Sequence, residues 1–153
     1  MGEGILVRAD VDRFNRPFEF LDARFAVTLS AEDTGGAVSS IDTNRFARGG
    51  PPLHVHHAQD EWFFVREGEF DIRVGEVTHH LRPGDSLLAP RGTPHAFANT
   101  TERGRMLVTF LPAGRMEAFF REASAIENPT PPQMAGVFAA HGMKVVGPPL
   151  PLG

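Results

Sequence analysis

The strongest constraint on the fold is a series of short, alternating segments that runs through the chain up to about residue 112. Apolar and polar residues alternate within each segment, and Gly, Pro, Asp or Asn residues separate the segments. Such alternation is typical of half-buried strands, and turns this frequent favour antiparallel pairing. The pattern predicts strands at residues 24–29, 38–46, 60–65, 69–74, 76–81, 86–89, 95–99 and 105–111. The predicted fold class is all-β, and short, evenly spaced strands suit a barrel or a double-sheet jelly roll.

After Pro112 the period of the apolar residues becomes helical. The residues that recur at this spacing are Met116, Phe119, Phe120, Ala123 and Ile126. Asn128-Pro129 ends this helix, and a second short helix begins after Thr130 as N-cap and ends before Gly142. Beyond it the tail is expected to be extended. We expect this helical extension, at about 113–143, to pack on the barrel, so that residues 1–153 form a single domain.

The strand pattern also predicts particular packing. A tight hairpin is expected around Glu67-Gly68, between the strands at 60–65 and 69–74. By parity, Trp62 and Phe64 face away from the barrel interior, towards the helices or a subunit partner. Four residues are expected to belong to the ordinary core, namely Val27, Leu29, Ile41 and Phe46.

Composition excludes several kinds of function. Cysteine and tyrosine are absent, so the chain has no disulfide, thiolate ligand, cysteine nucleophile or tyrosine acid. The net charge is −4 with interspersed signs, so neither nucleic acid nor a membrane surface is an expected partner. No apolar run reaches the roughly 18 residues of a membrane span. The N-terminus, MGEGILVRAD, lacks the apolar centre of a signal peptide, and we expect a cytoplasmic location.

Three of the seven histidines have the spacing of a metal site. His54 and His56 are two apart on a predicted strand, so both side chains point the same way, about 6.5–7 Å apart. Glu61 begins the next strand after a polar turn, and it can supply an oxygen ligand. His95 begins a later strand, to which two Gly- and Pro-rich turns return the chain. The sequence therefore predicts one metal ion held by His54, His56, Glu61 and His95.

The other histidines are weaker candidates. His57 is the nearest rival, but its parity points it away from His54 and His56. His79 and His80 lie on a strand apart from the four predicted ligands, and we expect them to be exposed. His141 belongs to the apolar face of the second predicted helix.

At this point the sequence resembles a known family. The stretch His54-x-His56-x4-Glu61-x6-Gly68 looks like the first motif of the cupins, and Gly84-x5-Pro90-x-Gly92-x2-His95-x3-Asn99 matches the second. The resemblance covers about residues 35–112 and is closest to small monocupins of the quercetin 2,3-dioxygenase-like group. It implies a cupin double-stranded β-helix with one or two C-terminal helices packed on it. One departure is Arg48, where the family usually has Gly, so we expect a shifted turn there.

Three imidazoles and one carboxylate suit Fe(II), Mn(II), Ni(II), Zn(II) or Cu(II) and disfavour Ca(II) and Mg(II), which prefer oxygen ligands. Four protein ligands leave coordination positions open, which favours a functional ion over a structural one. A substrate pocket is expected around Phe63, Val65, Phe97 and Asn99.

The resemblance implies a dioxygenase acting on a small enol, flavonol-like or diketone substrate, with Glu61 as ligand or general base. Two alternatives remain open: a non-oxidative metal-dependent isomerase, cyclase or decarboxylase, and a non-catalytic cupin that binds a small ligand. Because exposed barrel edges need covering, a homodimer is also expected.

Overall fold

The alternating segments form eleven strands in the computed structural model, which describes residues 2–152. In chain order the strands are β1 (Phe18–Phe20), β2 (Ala23–Leu29), β3 (Ser39–Arg45), β4 (Pro52–His56), β5 (Asp60–Glu67), β6 (Phe70–Val74), β7 (Val77–Leu81), β8 (Ser86–Ala89), β9 (His95–Asn99), β10 (Gly104–Leu111) and β11 (Met143–Pro149). The helices are α1 (Met116–Ser124) and α2 (Pro131–Ala140), and a 3-10 turn covers Ala31–Asp33. Every strand that was predicted by range is confirmed. The pattern did not predict β1, and it gave no bounds for β4, which holds His54 and His56, or for β11 in the extended tail.

Two antiparallel sheets enclose the core. One has the order β1-β2-β3-β10-β5-β8, and the other has the order β11-β4-β9-β6-β7. In β5 and β6, alternate residues point between the sheets and are buried there. The fully buried residues of the two sheets include Ile41, Phe63, Val65, Phe70, Ile72 and Met106. This is the cupin-type two-sheet architecture with C-terminal helices that the resemblance implies.

The predicted hairpin around Glu67-Gly68 is wrong. β5 belongs to the six-stranded sheet and β6 to the five-stranded sheet, so this turn carries the chain from one sheet to the other. Gly68 has a φ of +69°, and a Cβ there would lie 2.3 Å from the carbonyl oxygen of Arg103. A glycine is therefore needed at position 68 because two backbone segments lie close together where the chain crosses between the sheets. The hairpin in this region joins β6 to β7.

The predicted core is half correct. Val27 and Ile41 are buried, but Leu29 is only partly buried and Phe46 is 47% exposed. The register of β2 shifts between Val27 and Leu29, which breaks the simple alternation at that point. Phe46 lies just past the end of β3, where Ile41 and Arg45 mark the buried face, so its side chain points outwards.

The helices are largely as predicted. Thr130 caps α2 through a capping box with Gln133, whereas α1 ends at Ser124, before Ile126. The rings of Phe119 and Phe138 are 4.9 Å apart and join the two helices. The helices pack mainly against β1 and β11. In residues 2–152, neither helix has the length and hydrophobicity required to span a lipid bilayer.

The turn before β4 packs closely against β9, and the glycine that this packing requires is at position 50 instead of position 48. A Cβ on Gly50 would lie 1.7 Å from the carbonyl oxygen of Phe97, whereas a Cβ on Gly49 would meet nothing closer than 3.6 Å. The chain therefore approaches β9 at Gly50, two residues later than the family pattern implies.

Candidate metal centre

Three strands bring the four predicted ligands together. His54 and His56 lie on β4, Glu61 is the second residue of β5, and His95 begins β9 directly opposite His54. All four residues are buried, with exposed fractions of 5% or less. Alternation along β4 gives the two histidines their common direction, as the spacing predicts.

The donor atoms of this cluster converge on one point. One nitrogen or oxygen from each residue lies within 4.8 Å of those of the other three. The Oε2 atom of Glu61 is 2.6 Å from Nε2 of His95 and 2.9 Å from Nε2 of His56. Residues separated by 41 positions of chain thus form one compact cluster of three imidazoles and a carboxylate.

Backbone carbonyls orient two of the rings. Nδ1 of His54 is 2.7 Å from the carbonyl oxygen of Pro52, and Nδ1 of His95 is 3.2 Å from that of Thr93. A carbonyl oxygen only accepts, so Nδ1 is the donor in each pair. This leaves Nε2 of each ring for the centre of the cluster, which is the usual arrangement around metal-bound histidines.

The charges of the cluster suit a bound cation. Burial, followed by the charge of His95, lowers the pKa of His54 to about 3, so this ring is neutral. Burial alone raises the pKa of Glu61, but the charges of His95 and His56 and their hydrogen bonds outweigh it, and the pKa falls. Burial lowers the pKa of His95, but the charge of Glu61 and its hydrogen bond outweigh burial, so the pKa of His95 is raised overall.

These observations show that the residues fit a divalent metal ion. His95 has an acceptor at each ring nitrogen, Thr93 on one side and Glu61 on the other, so without a metal it needs a proton on both nitrogens. The proton at Nε2 then lies between imidazole and carboxylate, where a cation satisfies the same groups. His54, His56, Glu61 and His95 could hold the ion, and this donor set suits a transition metal.

An apolar cavity extends from the cluster towards the helices. Its lining includes His54, His56 and Glu61, and most of the other lining residues are aromatic or aliphatic: Phe20, Phe25, Phe97, Val108, Phe110, Met116, Phe119, Phe120, Phe138 and Met143. The cavity volume is about 50 Å³, which is room for only a few water molecules. The cavity is therefore narrow.

Of the four predicted pocket residues, Phe97 lines the cavity and the other three lie elsewhere. Phe63 is fully buried with its ring 6.0 Å from those of His95 and Phe97, so it packs behind the ligands. Val65 belongs to the core. Asn99 is also buried, but its side chain donates hydrogen bonds to the carbonyl oxygens of Ala47 and Thr101 and does not line the cavity.

Sequence reasoning missed several residues of the cavity wall. Thr43 and Arg45 line it from β3, on the same inward face as Ile41. Because Ile41, Thr43 and Arg45 are two residues apart on one strand, the sequence could have predicted that Thr43 and Arg45 face inwards with Ile41. The aromatic residues of α1 and α2 also line it, which the helical period alone does not reveal.

The remaining histidines lie away from the cluster. His57 is exposed, as its parity predicts, and His79 and His80 are exposed on β7. His80 lies between Asp71 and Glu69, which raise its pKa through hydrogen bonds. His141 is buried, and its Nδ1 atom donates to the carbonyl oxygen of Val137.

Comparisons with known proteins agree with this fold. Residues 46–110 match the family described as Cupin domain. Protein SchB of Streptomyces halstedii is 34% identical over 85 residues, which cover 54% of this chain and 62% of that protein. Quercetin 2,3-dioxygenase of Bacillus subtilis is 32% identical over 78 residues, which cover 51% of this chain and 22% of that enzyme.

The chain therefore matches only part of the length of either curated relative. Among solved structures, an RmlC-like cupin from Shewanella frigidimarina superposes with a TM-score of 0.60 at 20% identity, covering 73% of this chain and 93% of that one. This likeness supports the fold. The two motifs, the two-sheet architecture and the family match together show that residues 46–110 form a cupin domain.

Proposed function

We propose that the chain is a metal-dependent dioxygenase that acts on a small enol or diketone. The observation that carries the proposal is the convergence of three imidazoles and one carboxylate at the end of a narrow, aromatic-lined cavity. A bound transition-metal ion supplies Lewis acidity and a route for electrons to dioxygen. The partial likeness to quercetin 2,3-dioxygenase supports this reaction class.

The protein side chains prepare the cavity for that chemistry. Glu61 is buried and its pKa is lowered, so it presents an ionised carboxylate that binds the ion or accepts the enol proton of the substrate. Phe97 and Phe110 exclude water around the reacting carbon. The small free volume favours a slender diketone over a three-ring flavonol.

The overall reaction balances without an external reductant. The substrate supplies the electrons, its carbon–carbon bond is cleaved, and both atoms of dioxygen enter the products. Oxygen consumption should therefore match loss of the diketone one to one.

The test is oxygen uptake by protein loaded with Fe(II), Mn(II) or Ni(II), with 2,4-pentanedione and a flavonol as substrates. We expect uptake with the diketone, and Glu61→Gln should lower the rate by about 100-fold or more because it removes the ionised carboxylate. Glu76→Gln is the matched control, since Glu76 is exposed on a turn. An oxygen electrode and a chromatographic assay of the diketone give both quantities.

Absence of oxygen uptake with a diketone that demonstrably binds would contradict the dioxygenase proposal. Loss of the diketone without oxygen uptake would instead assign the reaction to the non-oxidative metal-dependent class.

We further propose a homodimer that forms through the outer face of the six-stranded sheet. The rings of Trp62 and Phe64 stack there with centroids 5.8 Å apart, and Leu88, which pairs with Trp62, is 49% exposed. Light scattering should give twice the chain mass of 16.7 kDa. Leu88→Glu should shift the protein towards the monomer, whereas Val77→Glu, on another exposed site, should not. A monomeric wild type would contradict the proposal.

A further inference from the structure

The cavity wall contains a buried cation that has no carboxylate partner in the described part of the chain. Arg45 is 3% exposed and lines the same cavity as His54 and Glu61. Its place on the inward face of β3, beside Thr43, directs the side chain between the sheets. An arginine remains protonated even when burial lowers its pKa, as it does here.

One neutral group anchors this guanidinium. Nε of Arg45 donates to Oδ1 of Asn99 over 2.8 Å. The amide of Asn99 is oriented by its own donations, from Nδ2 to the carbonyl oxygens of Ala47 (3.0 Å) and Thr101 (2.8 Å). Asn99, the last residue of the second motif, is therefore a positioning residue that holds Arg45 in place.

Within residues 2–152, the outer nitrogens of Arg45 form no hydrogen bond, and they are not among the fully buried unpaired atoms, so they border free space. Asp22 attracts the guanidinium at longer range, but Asp22 is exposed and forms no ion pair with it in the same part of the chain. A buried charge without a counterion is costly. A planar guanidinium with free outer donors matches a carboxylate, which accepts two parallel hydrogen bonds.

We propose that Arg45 binds the carboxylate of an anionic substrate, at the end of the cavity away from the metal ligands. This rests on the proposed function only in taking the cavity as the substrate site. His95 and Asn99 are four residues apart on β9, so their Cα atoms are separated by roughly 13 Å. A slender substrate that reaches both places therefore carries its carboxylate at the Arg45 end and its metal-binding oxygen atoms at the Glu61 end.

The surroundings favour a carboxylate over a phosphate. The cavity is narrow and mostly apolar, and among the described residues that line it Arg45 is the one Lys or Arg. A phosphate dianion would bring a second negative charge without a second cation to meet it, whereas a carboxylate brings one.

The test compares butanoate with its neutral isostere butanamide on protein freed of metal by a chelator, with nuclear magnetic resonance titration as the readout. We expect butanoate to bind about 10-fold more tightly or better, because charged hydrogen bonds exceed neutral ones. Arg45→Gln should remove that preference. Arg82→Gln is the matched control, since Arg82 is exposed on the surface.

Arg45→Lys keeps a positive charge but loses the planar fork, so its preference should be intermediate, and it serves as the second variant if Arg45→Gln does not fold. A wild type without preference, or an undiminished preference in either Arg45 variant, would overturn the proposal. Tighter binding of inorganic phosphate than of butanoate would overturn the choice of carboxylate. Because no metal or turnover enters this assay, its failure leaves the dioxygenase proposal to its own test.

Discussion

His95→Ala is expected to lower the affinity of the protein for a divalent transition metal by at least about 100-fold, because loss of a direct ligand should exceed the effect of losing an outer hydrogen-bond partner. His95 supplies a buried nitrogen 2.6 Å from the Glu61 carboxylate, and alanine removes it without disturbing the strand pattern. Competition with a chromophoric chelator measures the affinity, and elemental analysis measures the metal content as purified.

His57→Ala is the matched control for that experiment. His57 is next in sequence to His56, but its side chain is exposed, so its loss should leave the affinity unchanged. His56→Ala should reproduce the effect of His95→Ala. Full metal content in folded His95→Ala protein, or equal losses in His57→Ala, would show that the cluster does not hold the ion.

Gly50→Ala is expected to destabilise the fold by about 3 kcal/mol or more, which places it among the severe single substitutions. The added Cβ would lie 1.7 Å from the carbonyl oxygen of Phe97, and that atom belongs to the backbone of β9. Relief requires the chain before β4 to move away from the strand that carries His95. Chemical denaturation of the metal-free protein measures the change in unfolding free energy.

Gly136→Ala is the control for that substitution. Gly136 lies within α2, and a Cβ there would meet no atom within 4 Å. Alanine favours the helical backbone over glycine by up to about 1 kcal/mol, so this variant should be as stable as wild type or more stable. Equal stabilities of the two variants would show that the backbone contact at Gly50 is not limiting.

The sequence predicted the strands and the ligand cluster because both depend on local spacing. Parity placed His54 and His56 on one face of β4, and the turns before His95 returned the chain to the same sheet. The failures occurred where spacing does not decide the outcome. Gly68 looked like a hairpin residue, but pairing partners are set by the whole sheet topology, which no local pattern contains.

The cavity wall was harder to predict for a related reason. Phe63 and Phe97 have the same inward parity, yet only Phe97 borders free space, because helix packing determines which inward residues remain uncovered. Leu29 is less buried than predicted because the register of β2 shifts between Val27 and Leu29. Arg45 was overlooked because a charged residue on an inward face runs against the usual distribution of charge.

The pairing of β11 with β4 makes the ligand strand dependent on a distant part of the chain. Met143 pairs with His56 and Val145 pairs with His54, so the outer hydrogen-bonding edge of the ligand strand is occupied by residues about 90 positions later. β4 carries two of the three histidine ligands and pairs with β9 on its other side. During synthesis it therefore gains its second neighbouring strand only after β11 has been made. Because β11 covers the edge of β4 that β9 leaves open, we expect a shortened chain that lacks β11 to expose that edge and to hold the two histidines less firmly.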